Sequence, residues 1–396
     1  MLRRVTTGMV VLFLALGGST AALSQPSQTG EGRSTSVLRE PFVQDEGKKG
    51  LDLLYNMRTE EARAIFQEID QRYPAHPVGP FLEGLNLWWT IMIDLTDTSH
   101  DEAFFDQMNE VIDRCDDLLD ENEEHFDAQL FKAAAHGFKA RLASNRSNWL
   151  KAIRNGRTAI KYARTVAEEA PSETGDYVFG KGLYDYYAAI LEDEYPATKS
   201  FTWMMADGDK ERGLRLLRKT ADEGRFVKTE AIYYLAQIYY LYEDDYQKSR
   251  HYVQRLRERH PKNPYFHNFE GQIYARWGRW GQTRDVFESV VERAADDEPG
   301  YNAHMQEIAH YYLGRDRLRR NDYDQALDHF TRVQRLADRD VDDNRYRILA
   351  VLYQGMTYDA MDRRELAKKH YRHVLELDDP VGAHDRAERY LDEPYS

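Results

Sequence analysis

The stretch from Tyr301 to Leu336 constrains the fold more than any other. An aromatic-rich helix ending near Arg320 turns sharply at Asn321-Asp322 into a second helix, Asp324 to Ala337. Leu313 and Gly314 mark the first helix; Tyr323, Ala326, Phe330 and Val333 mark the second, the last three at steps of four and three that line one face. A hairpin of this pattern buries its apolar face only when similar hairpins stack on it. The rest of the chain must therefore supply neighbours.

It does so in two registers. The first helices carry a small residue at Gly84, Gly182, Ala236, Gly271, Gly314 and Gly355, with the last four separated by 35, 43 and 41 residues. The second helices repeat a small, bulky, aliphatic set: Ala62/Phe66/Ile69, Ala159/Ala163/Val166, Ser249/Val253/Leu256, Thr283/Phe287/Val290 and Ala367/Tyr371/Val374, several ending at Pro74, Pro171, Pro261 or Pro380. Small residues let the helices of a hairpin approach, the aromatic fills the gap to the next hairpin, and proline stops the helix. Gly137, in a helix from His125 to Leu142, reads the same way, as a point of close helix approach. Long β-branched runs are scarce, so the expectation is an all-α array of about eight hairpins closed by a polar helix, Gly382 to Tyr390.

The N-terminus reads differently. Residues 1–24 have Arg3 and Arg4, an apolar run from Val5 to Leu16, and a small-residue segment ending at Ala22-Leu23-Ser24, the pattern of a cleaved export signal. The alternative is an uncleaved anchor, since Val5 to Leu23 nearly reaches bilayer thickness. Residues 25–45 are polar and lack an apolar period, which predicts a disordered linker. Degenerate hairpins are expected over 46–225 and tighter ones over 226–396. One departure interrupts them: 193–207 inserts Tyr195-Pro196, Phe201, Trp203, Met204 and Met205, an apolar loop expected to pack over the core or face a partner.

Chemistry is mostly excluded. The net charge of -14, or -16 without Arg3 and Arg4, argues against nucleic acid as a partner. Cys115 is the only cysteine, so the chain forms no internal disulfide or cysteine metal cluster, and its apolar setting makes it a buried thiol. His304, Glu307 and His310 lack the His-Glu-x-x-His spacing of a metalloprotease, and His370 with His373 reads as an exposed pair. Gly180-x-Gly182 opens no strand-to-helix turn. Asp116-Asp117 and Asp342-Asp343 read as solvated helix ends. No catalytic, cofactor-binding or metal residue is assigned.

With Leu313-Gly314, Ala326 and Phe330, then Gly355, Tyr358, Ala367 and Tyr371, the pattern resembles the tetratricopeptide repeat family, over about residues 50 to 392. The segment Gly208-Asp209-Lys210-Glu211-Arg212-Gly213-Leu214 also resembles exported bacterial members of that family. The resemblance implies a right-handed superhelical solenoid whose concave groove, lined by first helices, binds an extended peptide or a partner helix. Carried over position by position, the groove residues are Tyr186, Tyr187, Tyr233, Gln237, Tyr240, Asn268, Gln272, Arg276, Tyr311, Arg315 and Arg319. Their amides and guanidiniums suit a peptide with acidic or carboxylate ends. The family's carboxylate clamp for chaperone tails is not reproduced at these positions. The implied protein is an exported, periplasmic or secreted, non-enzymatic scaffold for a protein or peptide. The alternative is a component of an envelope transport or assembly complex, anchored in the inner membrane and contacting it through the N-terminal segment.

Overall fold

A computed structural model describes residues 36–169, 176, 178–194, 208–337, 345–379 and 381–395. Residues 1–24, expected to be an export signal or anchor, and the apolar insertion at Phe201 to Met205 lie outside the described residues. Among those described there are seventeen α-helices and one short 3-10 turn, Val37–Arg39, with no strand. They are α1 (Pro41–Tyr55), α2 (Thr59–Arg72), α3 (Val78–Ile93), α4 (Asp101–Glu121), α5 (Phe126–Asn145), α6 (Trp149–Glu169), α7 (Val178–Glu194) and α8 (Lys210–Glu223). There follow α9 (Lys228–Leu241), α10 (Tyr246–Arg259), α11 (Pro264–Arg276), α12 (Trp280–Ala295), α13 (Ala303–Arg319), α14 (Tyr323–Leu336), α15 (Arg345–Ala360), α16 (Arg364–Leu375) and α17 (His384–Asp392).

The linker expected over 25–45 ends earlier than its polarity suggested. Pro41 occupies the first turn of α1, where its missing N–H costs nothing, and Val43 is fully buried. Phe42 beside it lies under the Arg72 guanidinium at 4.3 Å, so an apolar pair anchors that turn.

Six hairpins share one turn. Met57, Ser147, Asp244, Gly278, Asn321 and Asp362 all have positive φ, and each stands two residues before the second helix of its hairpin. A left-handed residue there ends the first helix and reverses the chain. Side-chain caps fix several helix starts: Asp209, Asp245, Asn263 and Asn302 each accept from the backbone N–H three residues on.

Inside the hairpins, glycine on the first helix meets an aromatic ring on the second. A β-carbon on Gly50 would lie 2.4 Å from Phe66, on Gly271 2.5 Å from Phe287, and on Gly355 2.5 Å from Tyr371. In each case the ring follows the glycine by 16 residues. Ala62, Thr283 and Ala367, one helical turn before those rings, are completely buried. Gly137 does not follow this rule: a β-carbon there would meet nothing within 4 Å, so it is not a point of close helix approach.

The described residues divide into two compact units, one within 36–91 and 99–235 and one within 92–98 and 236–396, so the division falls within α9 rather than at 225/226. In the second unit consecutive helices pack from α10 to α17, and first helices also meet side by side, α11 on α13 and α13 on α15. In the first unit α1 packs on α2, and α4 to α8 pack in succession. No helix among the described residues is long and apolar enough to cross a membrane.

Candidate functional site

The side-by-side first helices of the C-terminal unit carry a continuous tyrosine and arginine face. Phe269, Tyr312 and Tyr353 each stand two residues before the glycine of their own helix, so stacking brings them to equivalent positions. Rings meet in two groups, Tyr240 with Phe269 at 5.4 Å, and Tyr311 with Tyr312 at 5.0 Å, Tyr346 at 5.4 Å and Tyr353 at 5.7 Å. Tyr312 lies flat on Phe287 at 4.9 Å, which anchors the face to the core below.

Arg315 occupies the centre. Its guanidinium carbon lies 5.1 to 5.4 Å from the rings of Trp280, Tyr311, Tyr312 and Tyr353. Arg319 covers the same indole at 4.8 Å, Arg276 covers Tyr240 at 4.9 Å, Arg345 covers Tyr346 at 5.4 Å and Arg386 covers Tyr353 at 5.3 Å. Each contact places a cation over a π face. Arg276 is also paired with Asp244 at 3.3 Å. Arg315, Arg345 and Arg386 have no carboxylate within ion-pair distance among the described residues.

The arginines of this face stay charged. Burial disfavours the Arg315 cation, but Tyr311, Tyr353 and Tyr312 more than offset it, and its pKa is raised. Burial pushes Tyr312 up to about 12 and Tyr311 well above the usual phenol range; it raises Tyr240 and Tyr346 as well. Tyr353 goes the other way, because Arg315 and Arg386 outweigh its burial. Buried Glu307 is the acid that bears on Tyr346. On a chain of net charge -14, this is a local excess of arginine.

Of the residues carried over by resemblance, the structure brings Tyr240, Arg276, Tyr311, Arg315 and Arg319 to this face. Gln237 and Asn268 are buried in packing, where Gln237 donates to Tyr265 and Asn268 to the Met305 thioether. Gln272 is half-buried on α11. Tyr186, Tyr187 and Tyr233 are buried in the N-terminal unit, the first two packed edge to face at 5.3 Å. Tyr312, Arg345, Tyr346, Tyr353, Arg386 and Trp280 belong to the face and were missed. The constant offset from the hairpin glycine was the signal for Tyr312 and Tyr353.

Among the described residues no group of three or more His, Cys, Asp or Glu side chains could hold a metal. Burial pushes the Cys115 thiol up to about 12, which leaves it protonated.

Residues 230–263, which contain α10 and most of α9, match the family model of a tetratricopeptide repeat. That segment is a tetratricopeptide repeat. The repeat class serves protein–protein interaction, and the glycine-to-ring hairpins on either side of the match extend its pattern along the chain. No curated protein matches the sequence. Solved structures similar to it include a human IFIT1 dimer with PPP-AAAA, at 16% identity and TM-score 0.44 over 81% of this chain and 69% of that one. The P58(IPK) TPR domain is similar at 14% identity and TM-score 0.24, over 89% of each chain. Naa15/Naa10 bound to HypK-THB is similar at 15% identity and TM-score 0.34, over 90% of this chain and 59% of that one. At scores this low, these likenesses add nothing to the helical architecture visible in the chain itself.

Proposed function

We propose that this repeat protein is a non-enzymatic scaffold that holds an acidic, extended segment of a partner protein on the tyrosine and arginine face of its C-terminal unit. The observation that carries the reading is the set Arg315, Arg345 and Arg386, three guanidiniums set among tyrosine rings with no carboxylate of the described chain in ion-pair contact with them. Guanidiniums pair carboxylates bidentately, and tyrosines supply rigid contact area together with hydroxyl donors for a peptide backbone. Arginine and tyrosine are also the side chains over-represented where binding energy concentrates.

The test is selection of random peptides on the purified chain, followed by affinity measurement on a variant with Arg315→Glu, Arg345→Glu and Arg386→Glu. The selected peptides should be rich in Asp and Glu, bind more weakly as salt rises, and lose roughly tenfold affinity or more for each reversed charge. Thermal unfolding of the variant establishes that it is folded. Selection of neutral or basic peptides, or equal affinity for the folded variant, overturns the assignment.

Export is part of the same proposal and rests on Arg3, Arg4 and the apolar run Val5 to Leu16. A product from the cell envelope that begins at Gln25 supports it. Full-length chain found only in the membrane fraction would instead favour the anchored alternative.

A further inference from the structure

The N-terminal unit contains a partly open cavity of about 520 Å³ that the peptide-binding reading leaves unused. Its wall is built mainly from apolar side chains, with Leu82, Leu85 and Trp88 on α3, Phe131 and Phe138 on α5, and Phe179 on α7. The volume lies within the roughly 300 to 1,000 Å³ of cavities that enclose small organic ligands.

Two glycines in that wall differ from those of the hairpin contacts. A β-carbon on Gly137 or on Gly180 would meet no atom within 4 Å, whereas on Gly50 it would run into Phe66. Glycine inside a helix is unfavourable unless something needs the space. At Gly137 and Gly180 no helix needs it. What both leave is room in the cavity that they line.

Two ionisable side chains are buried in the same wall. Arg141, on α5, donates to the hydroxyls of Tyr234 at 2.9 Å and Tyr233 at 3.0 Å, and lies 4.8 Å over the Trp88 ring. Glu230, on α9, accepts from the Tyr55 hydroxyl at 2.5 Å. The hydroxyls that accept from Arg141 are phenols, which bring no carboxylate charge against it.

We propose that this cavity binds an amphiphile with a long aliphatic body and a single carboxylate head, the body lying along the aromatic wall and the head pairing with Arg141. The guanidinium stays charged at any working pH. Burial raises the pKa of Glu230, against the bonds from Tyr55 and Trp89 and the charge of Arg141, which weakens it as a competing anion. The other charged side chains of the wall do not oppose an anion strongly. Arg39, Lys181 and Arg225 are cations, Glu223 is exposed, and Asp176 is engaged by the backbone N–H groups of Arg225, Phe226 and Val227.

The test uses the full chain with cis-parinarate, a fluorescent fatty acid, displaced by oleate, oleyl alcohol or oleylamine. Oleate should displace it at micromolar concentration, with oleyl alcohol about tenfold weaker and oleylamine weaker still. Arg141→Met should weaken oleate about tenfold and leave oleyl alcohol within about twofold. Gly137→Leu, which fills the space rather than removing a charge, should abolish binding of both while the chain stays folded, as thermal unfolding shows. The proposal fails if parinarate does not bind, if oleylamine competes best, if folded Arg141→Met holds oleate as before, or if folded Gly137→Leu still binds.

Discussion

A β-carbon on Gly314 would stand 2.6 Å from Cε1 of Phe330, closer than carbon atoms approach in folded proteins. The two helices of that hairpin meet through a glycine because no larger residue leaves room for the ring. Gly314→Ala should therefore destabilise the C-terminal unit by about 1 to 3 kcal/mol through overpacking. Gly137→Ala should do the opposite and stabilise by about 0.5 to 1 kcal/mol, since its added methyl meets nothing and only helix propensity changes. Urea unfolding of the two variants decides the matter, and effects of the same sign would contradict the contrast.

Tyr55 and Glu230 form a second testable pair. Burial raises the Glu230 pKa, and the Tyr55 hydroxyl is the largest influence pulling it back. Tyr55→Phe leaves the buried carboxyl short of that donor and should cost about 1 to 3 kcal/mol. Because the remaining balance favours the neutral acid, the loss should be larger at pH 8 than at pH 5. Thermal unfolding at the two pH values checks it; a loss independent of pH would mean that Glu230 is already neutral across the range.

His260 and His267 make the C-terminal unit sensitive to acid. Burial pulls both imidazoles down to about 3, reinforced by Arg259 at His260 and by Arg257 and Arg293 at His267. An unfolded imidazole takes up its proton near pH 6.5, while these take it up only near 3, so stability is full above about 6.5 and falls as pH drops below it. Each should remove about 2 kcal/mol between pH 6.5 and pH 5. His267→Gln keeps a group able to hydrogen-bond the Tyr301 hydroxyl, now 3.0 Å from His267 Nδ1, and should remove one of the two contributions. Unfolding free energies at pH 7 and pH 5 give the slope; an unchanged slope in the variant would refute the assignment.

The hairpins were legible because their determinants are local. Gly271 and Phe287, or Gly355 and Tyr371, lie within one hairpin, so their spacing survives in the sequence. The first turn of α1 was not legible, because Phe42 and Val43 are an isolated apolar pair with no helical period and the burial of Val43 depends on its tertiary neighbours. The site was legible in part. Tyr311 and Arg315 fall on the face of α13 that the repeat phase requires, but the same phase cannot tell that Tyr233 faces Arg141 and the cavity of the N-terminal unit. Nor does sequence reveal that Arg386, on the closing helix, reaches Tyr353 on α15. Contacts between hairpins depend on how the units stack, and that information is spread over many residues.

The central claim is that hairpins stabilise one another through near-neighbour stacking, and Phe330 tests it most directly. Its ring is fully buried, packs on Gly314 within its own hairpin and lies 5.6 Å from Tyr353 of the next. Phe330→Ala should remove about 3 to 5 kcal/mol. Amide hydrogen exchange of the variant should show protection lost first across α13 to α17, while α1 to α6 keep theirs. Uniform loss of protection from α1 to α17 would show a single cooperative core and contradict the account.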